Sequence, residues 1–147
     1  MYKHILIPTD GSPTAEKAVS AGIELARASG AKVTLFTAVP EYEVPGEGTV
    51  LAHGVISIQE HARRSGLKAN EVLAPAAEKA RAAKLAFGTQ HVQSNRPWEA
   101  IVDAAKRSGC DAIVMASHGR KGLSRLMHGS QTIDVLSHTD IPTLVVR

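Results

Sequence analysis

The sequence predicts a single α/β domain, an open and mostly parallel sheet of five strands with helices on both faces. Three observations point there. Short β-branched apolar runs alternate along the chain with longer stretches in which apolar residues recur at helical spacing. One run, Ala112-Ile113-Val114-Met115-Ala116, is apolar at every position, as expected of a strand covered on both sides. Aromatic residues make up only 3% of the chain, so the core must be built from Ala, Val, Ile and Leu, which suits helices packed on a sheet. With 147 residues and no linker or low-complexity stretch, residues 1–147 are expected to form one domain.

The elements follow in order. Ile5-Leu6-Ile7 is the first strand, closed by Pro8-Thr9-Asp10-Gly11-Ser12-Pro13. Ser12 suits a helix cap and Pro13 the first turn, where its missing N–H costs nothing. Ala15, Ala18, Val19, Gly22, Leu25 and Ala26 then share a helix face, until Ser29-Gly30 stops the helix. Val33 to Phe36 is the second strand, completing a βαβ unit whose crossover should be right-handed. Glu41 to Val50, with Pro45, Gly46 and Gly48, reads as a loop. A long helix is expected from about Ile56 to Ala86, with Gly66 and Pro75 as weak points inside it.

A third strand is expected over Thr89 to Gln93. Pro97 opens a helix with Ile101, Ala104, Ala105 and Ser108 on one face, and Gly109 ends it. Ala112 to Ala116 is the fourth strand, Gly129 to Ser137 the last helix and Thr143 to Val146 the fifth strand. A local echo supports this scheme. Ala26-Arg27-Ala28-Ser29-Gly30 before the second strand resembles Ala105-Lys106-Arg107-Ser108-Gly109 before the fourth.

Composition excludes several functional classes. No apolar run approaches the roughly 18–20 residues that cross a bilayer, so no membrane association is expected. Met1-Tyr2-Lys3-His4 runs straight into a strand, without the pattern of a secretory leader, and the single Cys110 suits a reducing, cytoplasmic setting. The net charge is +3, but Arg63, Arg64, Lys68, Lys79, Arg81 and Lys84 alternate with Glu60, Glu71 and Glu78. That is a solvated helix face, and no nucleic-acid partner is expected. The seven histidines form no pair at metal-ligand spacing, so no metal site is expected. Cys110 and Trp98 read as packing residues.

In open parallel sheets, ligands bind beyond the carboxyl ends of the strands, where the strand order reverses. Two segments fall there: Pro8-Thr9-Asp10-Gly11-Ser12 after the first strand, and Ser117 to Arg125, continuing to His128-Gly129-Ser130, after the fourth. The second has the makings of an anion site. Gly119 lets backbone approach a phosphate, Gly129-Ser130 opens a helix whose N–H groups face it, and Arg120, Lys121 and Arg125 add positive charge. Asp10, an acceptor when ionised, suits the hydroxyls of a ribose. Together they point to a nucleotide. Neither G-x-x-x-x-G-K-[ST] nor G-x-G-x-x-G after the first strand is present, which argues against common NTPases and dinucleotide oxidoreductases.

Over essentially its whole length the chain resembles the universal stress proteins. Lys3 to Ser12 is similar to the family's opening, Met115 to Ser130 to its nucleotide loop, and Ile141 to Val146 to its ending. ATP-binding members carry G-x2-G-x9-G-[ST]; here Gly119, nine residues and Gly129-Ser130 fit, while the first glycine is replaced by Ala116. The resemblance implies the strand order 3-2-1-4-5. It implies Pro8, Thr9, Asp10 and Val39 around adenine and ribose, with Ala116 near the sugar. It implies Gly119, Gly129 and Ser130 on the phosphates, with the Gln131 backbone N–H contributing and His118 adjoining the loop. The extra methyl of Ala116 is expected to reduce binding without abolishing it.

The implied ligand is ATP, or AMP or ADP, with Mg2+ as a possible companion, and the implied assembly is a homodimer joined through Thr143–Val146. The chain is thus expected to act as a nucleotide-binding stress-response module read by a protein partner. Two alternatives remain open: a slow ATPase or autophosphorylating protein, and a nucleotide-free dimeric interaction protein. Asp10 is the only acid in either loop, so catalysis ranks behind binding. A phosphoaspartate receiver domain shares the plan, but its acidic pair, central aspartate and lysine are missing.

Overall fold

A computed structural model describes residues 1–42, 57–117 and 129–147. Its elements run β1 (His4–Pro8), α1 (Pro13–Ser29), β2 (Lys32–Val39), α2 (Ile58–Ala82), β3 (Phe87–Gln93), α3 (Pro97–Ser108), β4 (Ala112–Ala116), α4 (Gly129–His138) and β5 (Thr143–Val146). The five strands form one sheet in the order β3-β2-β1-β4-β5, and all four pairings are parallel. The expected strand order is the observed one.

Every residue of β1 and β4 is buried, because helices cover both sides of the sheet centre. Alternate strand residues therefore enter two separate cores. Ile5, Ile7, Val33, Leu35, Ala112 and Val114 meet α1 and α2 through Val19, Ile23, Ala26, Leu73, Ala76 and Ala80. Leu6, Phe36, Ile113 and Met115 meet α3 and α4 through Ile101, Ala105 and Val135.

Ser12 caps α1 as expected, its hydroxyl accepting the Ala15 N–H at 3.2 Å. Ile23 completes the buried face of α1, whereas Leu25 is only partly covered. The close approach expected at Gly22 is present: a Cβ placed there would lie 2.9 Å from Ile7 Cγ1 and 3.4 Å from Val114 Cβ. The repeated helix endings also share a geometry. Gly30 and Gly109 take left-handed conformations, φ 69° and 68°, which glycine adopts without a Cβ penalty. The next residues, Ala31 and Cys110, each donate back 2.9 Å to the carbonyls of Ala26 and Ala105.

Several boundaries differ from expectation. The second strand, expected over Val33 to Phe36, runs over Lys32–Val39. The long helix spans Ile58–Ala82, starting at a Ser57 cap and ending where Lys84 turns left-handed at φ 58°. Pro75 lies within it without ending it. β3 begins at Phe87 rather than Thr89, because pairing with β2 runs from Val33 opposite Phe87 to Val39 opposite Gln93. The expected loop from Glu41 to Val50 lies outside the described residues beyond Tyr42.

Candidate functional site

The sheet order reverses between β1 and β4, so the candidate crevice lies beyond the carboxyl ends of those strands. Ile5 pairs with Ala112 and Leu6 with Ile113, and Asp10 and Ser117 follow the carboxyl ends of the two strands. Pro8 and Thr9 are buried at one wall, and the Thr9 N–H donates 2.8 Å to the Phe36 carbonyl, prolonging the pairing with β2.

The turn after β1 is braced by its own side chains. Gly11 N–H donates to Thr9 Oγ1 at 3.1 Å, and Ser12 N–H donates to Asp10 Oδ1 at 2.9 Å. The cap of α1 is thus Ser12, and Asp10 holds the turn in front of it. Its other oxygen is unlike any other side-chain atom of the described residues. Asp10 Oδ2 is buried and has no hydrogen-bond partner. Withdrawing a carboxylate oxygen from water without a donor costs on the order of 1–3 kcal/mol, so the position is complete only when something donates to it.

Across the crevice Ala116 is fully buried, in the same apolar cluster as Ala15 and Ala18 of α1. The Thr132 hydroxyl contacts the carbonyl oxygens of Ala116 at 3.1 Å and Ser117 at 3.0 Å, which holds the first turn of α4 against the end of β4. Gly129 and Ser130 begin that helix, whose N–H groups and positive dipole end favour an anion. Gln131 follows, its side-chain oxygen accepting the Trp98 N–H at 3.0 Å. His118, Gly119, Arg120, Lys121 and Arg125 lie outside the described residues.

The third wall is the end of β2. Val39 is buried and its carbonyl accepts the Ser94 N–H at 2.8 Å. Beyond it His61 Nε2 lies 3.2 Å from the Pro40 carbonyl oxygen, and the His61 and Tyr42 rings meet edge-on with centroids 5.3 Å apart. Sequence reasoning missed Thr132 and the Tyr42–His61 pair. Thr132 adjoins Gly129-Ser130-Gln131, and that adjacency is its signal in the sequence; His61 and Tyr42 belong to different elements and carry no local signal.

The chain's one cysteine is remote from this crevice in character. Burial raises the Cys110 thiol to about 11, aided by the neighbouring Asp111, so at neutral pH it stays a protonated packing group. Trp98 is half-buried against the α3–α4 core, with the His138 ring 4.3 Å away. Among the described residues no group of three or more His, Cys, Asp or Glu is arranged to hold a metal ion.

Comparison with known proteins places this architecture. The model of the universal stress protein family matches residues 1–147. The chain belongs to the universal stress protein family. Among its curated relatives, universal stress protein YxiE of Bacillus subtilis is 29% identical over 153 residues, the match spanning all of both chains. Universal stress protein MJ0577 of Methanocaldococcus jannaschii is 31% identical over 156 residues, covering all of this chain and 96% of that one. The solved structure of MJ0577 superposes with a TM-score of 0.76 at 28% identity, over 99% of this family member and 96% of its neighbour. Universal stress protein UspA of Lactobacillus plantarum, at 22% identity and a TM-score of 0.78 over 99% and 98%, shares the fold.

Proposed function

We propose that this universal stress protein is an adenine-nucleotide-binding module, with ATP, ADP or AMP held in the crevice between β1 and β4. The observation that carries the reading is the buried, unpartnered Asp10 Oδ2 at the switch point of the sheet. A ribose hydroxyl is a donor of the right kind for it, and the start of α4 at Gly129-Ser130 offers N–H groups to a phosphate. Pro8, Thr9 and Val39 would border the base and sugar, Ala116 the sugar, and His118, Gly119, Gly129, Ser130 and Gln131 the phosphate end. Mg2+ would enter, if at all, with the phosphates of ATP.

Proteins of the same fold have been solved with cAMP, with dAMP and with AMP, at 24%, 22% and 15% identity to this chain. Those ligands are theirs; the case for this chain rests on its own residues. Binding ranks above turnover because Asp10 is the only acid in the segments after β1 and between β4 and α4. The nucleotide would then act by occupancy, as a signal read by a protein partner in the cytoplasm. A homodimer joined along β5 fits a four-residue edge strand without charge, whose Leu144 is 47% exposed. No helix of the described residues is long and apolar enough to cross a membrane.

The test is calorimetric titration of nucleotide-stripped protein with ATP, AMP and adenosine, each with and without Mg2+. Saturable binding at micromolar concentrations supports the reading. No heat up to millimolar nucleotide overturns it.

A further inference from the structure

Helix α3 begins without a cap of its own. Arg96 occupies the capping position with φ −123° and ψ 77° and makes no side-chain capping bond, and Pro97 has no N–H to offer. The first donor in that turn, the Trp98 N–H, is satisfied from another element, by the side-chain oxygen of Gln131 at 3.0 Å. Gln131 stands in the first turn of α4, directly after Gly129-Ser130. Seven residues on, two helical turns and therefore the same face, His138 stacks on the Trp98 indole at 4.3 Å with the planes 32° apart. Between them Val135 is fully buried in the α3–α4 core. One stripe of α4 thus grips one residue of α3 at both ends, with Thr132 holding the helix to β4 beside it.

We infer that Gln131 is a positioning residue: by capping α3 with its side chain it fixes the first turn of α4, and with it the phosphate end of the proposed site. The inference rests on the nucleotide-binding reading, and goes beyond it by assigning the phosphate affinity to a contact between two helices that need not touch the ligand. The physical reason is geometric. Backbone N–H groups bind an oxyanion only when held in place beforehand, and Gly129 in the first turn is a poor holder of helical backbone.

The experiment compares the protein with a Gln131→Met variant, which keeps the length of the side chain and removes the acceptor, by titration with ATP and with adenosine. Loss of positioning weakens ATP about tenfold and leaves adenosine unchanged, since adenosine has no phosphate to place. Equal loss for both ligands assigns Gln131 a general structural role and overturns the inference, as does unchanged ATP affinity.

A second measurement reads the contact itself. Trp98 is the chain's only tryptophan, so its emission reports the contact directly. The inference expects Gln131→Met to alter this emission before any ligand is added, because the contact is made in the unliganded protein; an emission identical to wild type overturns it. A wild-type protein that binds neither ligand overturns the nucleotide reading, and this inference with it. Wild-type binding with an unaffected variant overturns this inference alone.

Discussion

The His4 imidazole lies 2.7 Å, Nε2 to Oγ1, from the Thr34 hydroxyl, a buried bond that crosses from β1 to β2 at the amino end of the sheet. The ring sits among unequal influences. Burial lowers its pKa below the usual value, and the Lys32 charge on β2 lowers it further. A backbone hydrogen bond at Ser108 and the Asp111 carboxylate before β4 pull the other way without winning. Asp111 is occupied in any case: it accepts the Lys3 and His4 N–H groups at 2.9 and 3.0 Å, and those bonds hold its own pKa low.

The unfolded chain takes up a proton at His4 before the folded one does, so stability is complete above the ordinary histidine value and declines as pH falls through and below about 6.5. Thermal melts from pH 8 to pH 5 should show this fall, and His4→Gln, which can still hydrogen-bond Thr34 and cannot charge, should flatten it. An equal slope in the variant would assign the decline to other histidines.

Asp10 makes a contrasting prediction for stability and for binding. In Asp10→Asn the side-chain oxygen can still accept the Ser12 N–H, while a neutral amide NH2 takes the place of the unpartnered carboxylate oxygen. The unliganded protein should melt no lower than wild type, and its affinity for adenosine and ATP should fall by about tenfold or more, the worth of a hydrogen bond to a charged group. A lower melting temperature with unchanged affinity would reduce Asp10 to a turn residue.

Thr132→Val tests the anchor of α4. The swap keeps the shape of a buried side chain and removes the hydroxyl whose single proton is shared between the Ala116 and Ser117 carbonyls. We expect a loss of about 1–2 kcal/mol in denaturant unfolding. Amide exchange should accelerate in α4 more than in α1, and uniform acceleration would contradict the assignment.

Gly22→Ala pits helix propensity against packing. Alanine favours a helix interior by about 1 kcal/mol. Here its methyl would press on the buried Ile7 side chain and touch Val114. Overpacking typically costs about 1–3 kcal/mol, so the net change should be destabilising in urea melts. A variant of raised stability would show that α1 can lift from the sheet without cost.

Much of this molecule was legible in local chemistry. The apolar runs of β1 and β4, the Ser12 cap and the Gly30 and Gly109 endings need only neighbours within a few residues, and each is where the pattern puts it; β2 was recognised by its apolar centre, but pairing carries it on to Val39. β3 was legible only in part. Its Phe87–Gln93 stretch lies at the sheet edge, largely exposed, so no apolar alternation marks its start and the ladder to β2 decides it. The end of α2 was likewise decided at Lys84, a residue with no stop signal in its side chain.

The spacing of Gly119 and Gly129-Ser130, with Asp10 after the first strand, was enough to nominate a crevice, and with the opening Lys3 to Ser12 and the ending Ile141 to Val146 it pointed to the family. What tertiary structure alone decided is which atoms there are satisfied. Asp10 Oδ2 left without a donor, Gln131 capping a helix some thirty positions away in the chain, and Thr132 reaching back to β4 are consequences of packing. Hydrogen bonding depends on distance and direction between groups remote in sequence, and residue identity carries neither.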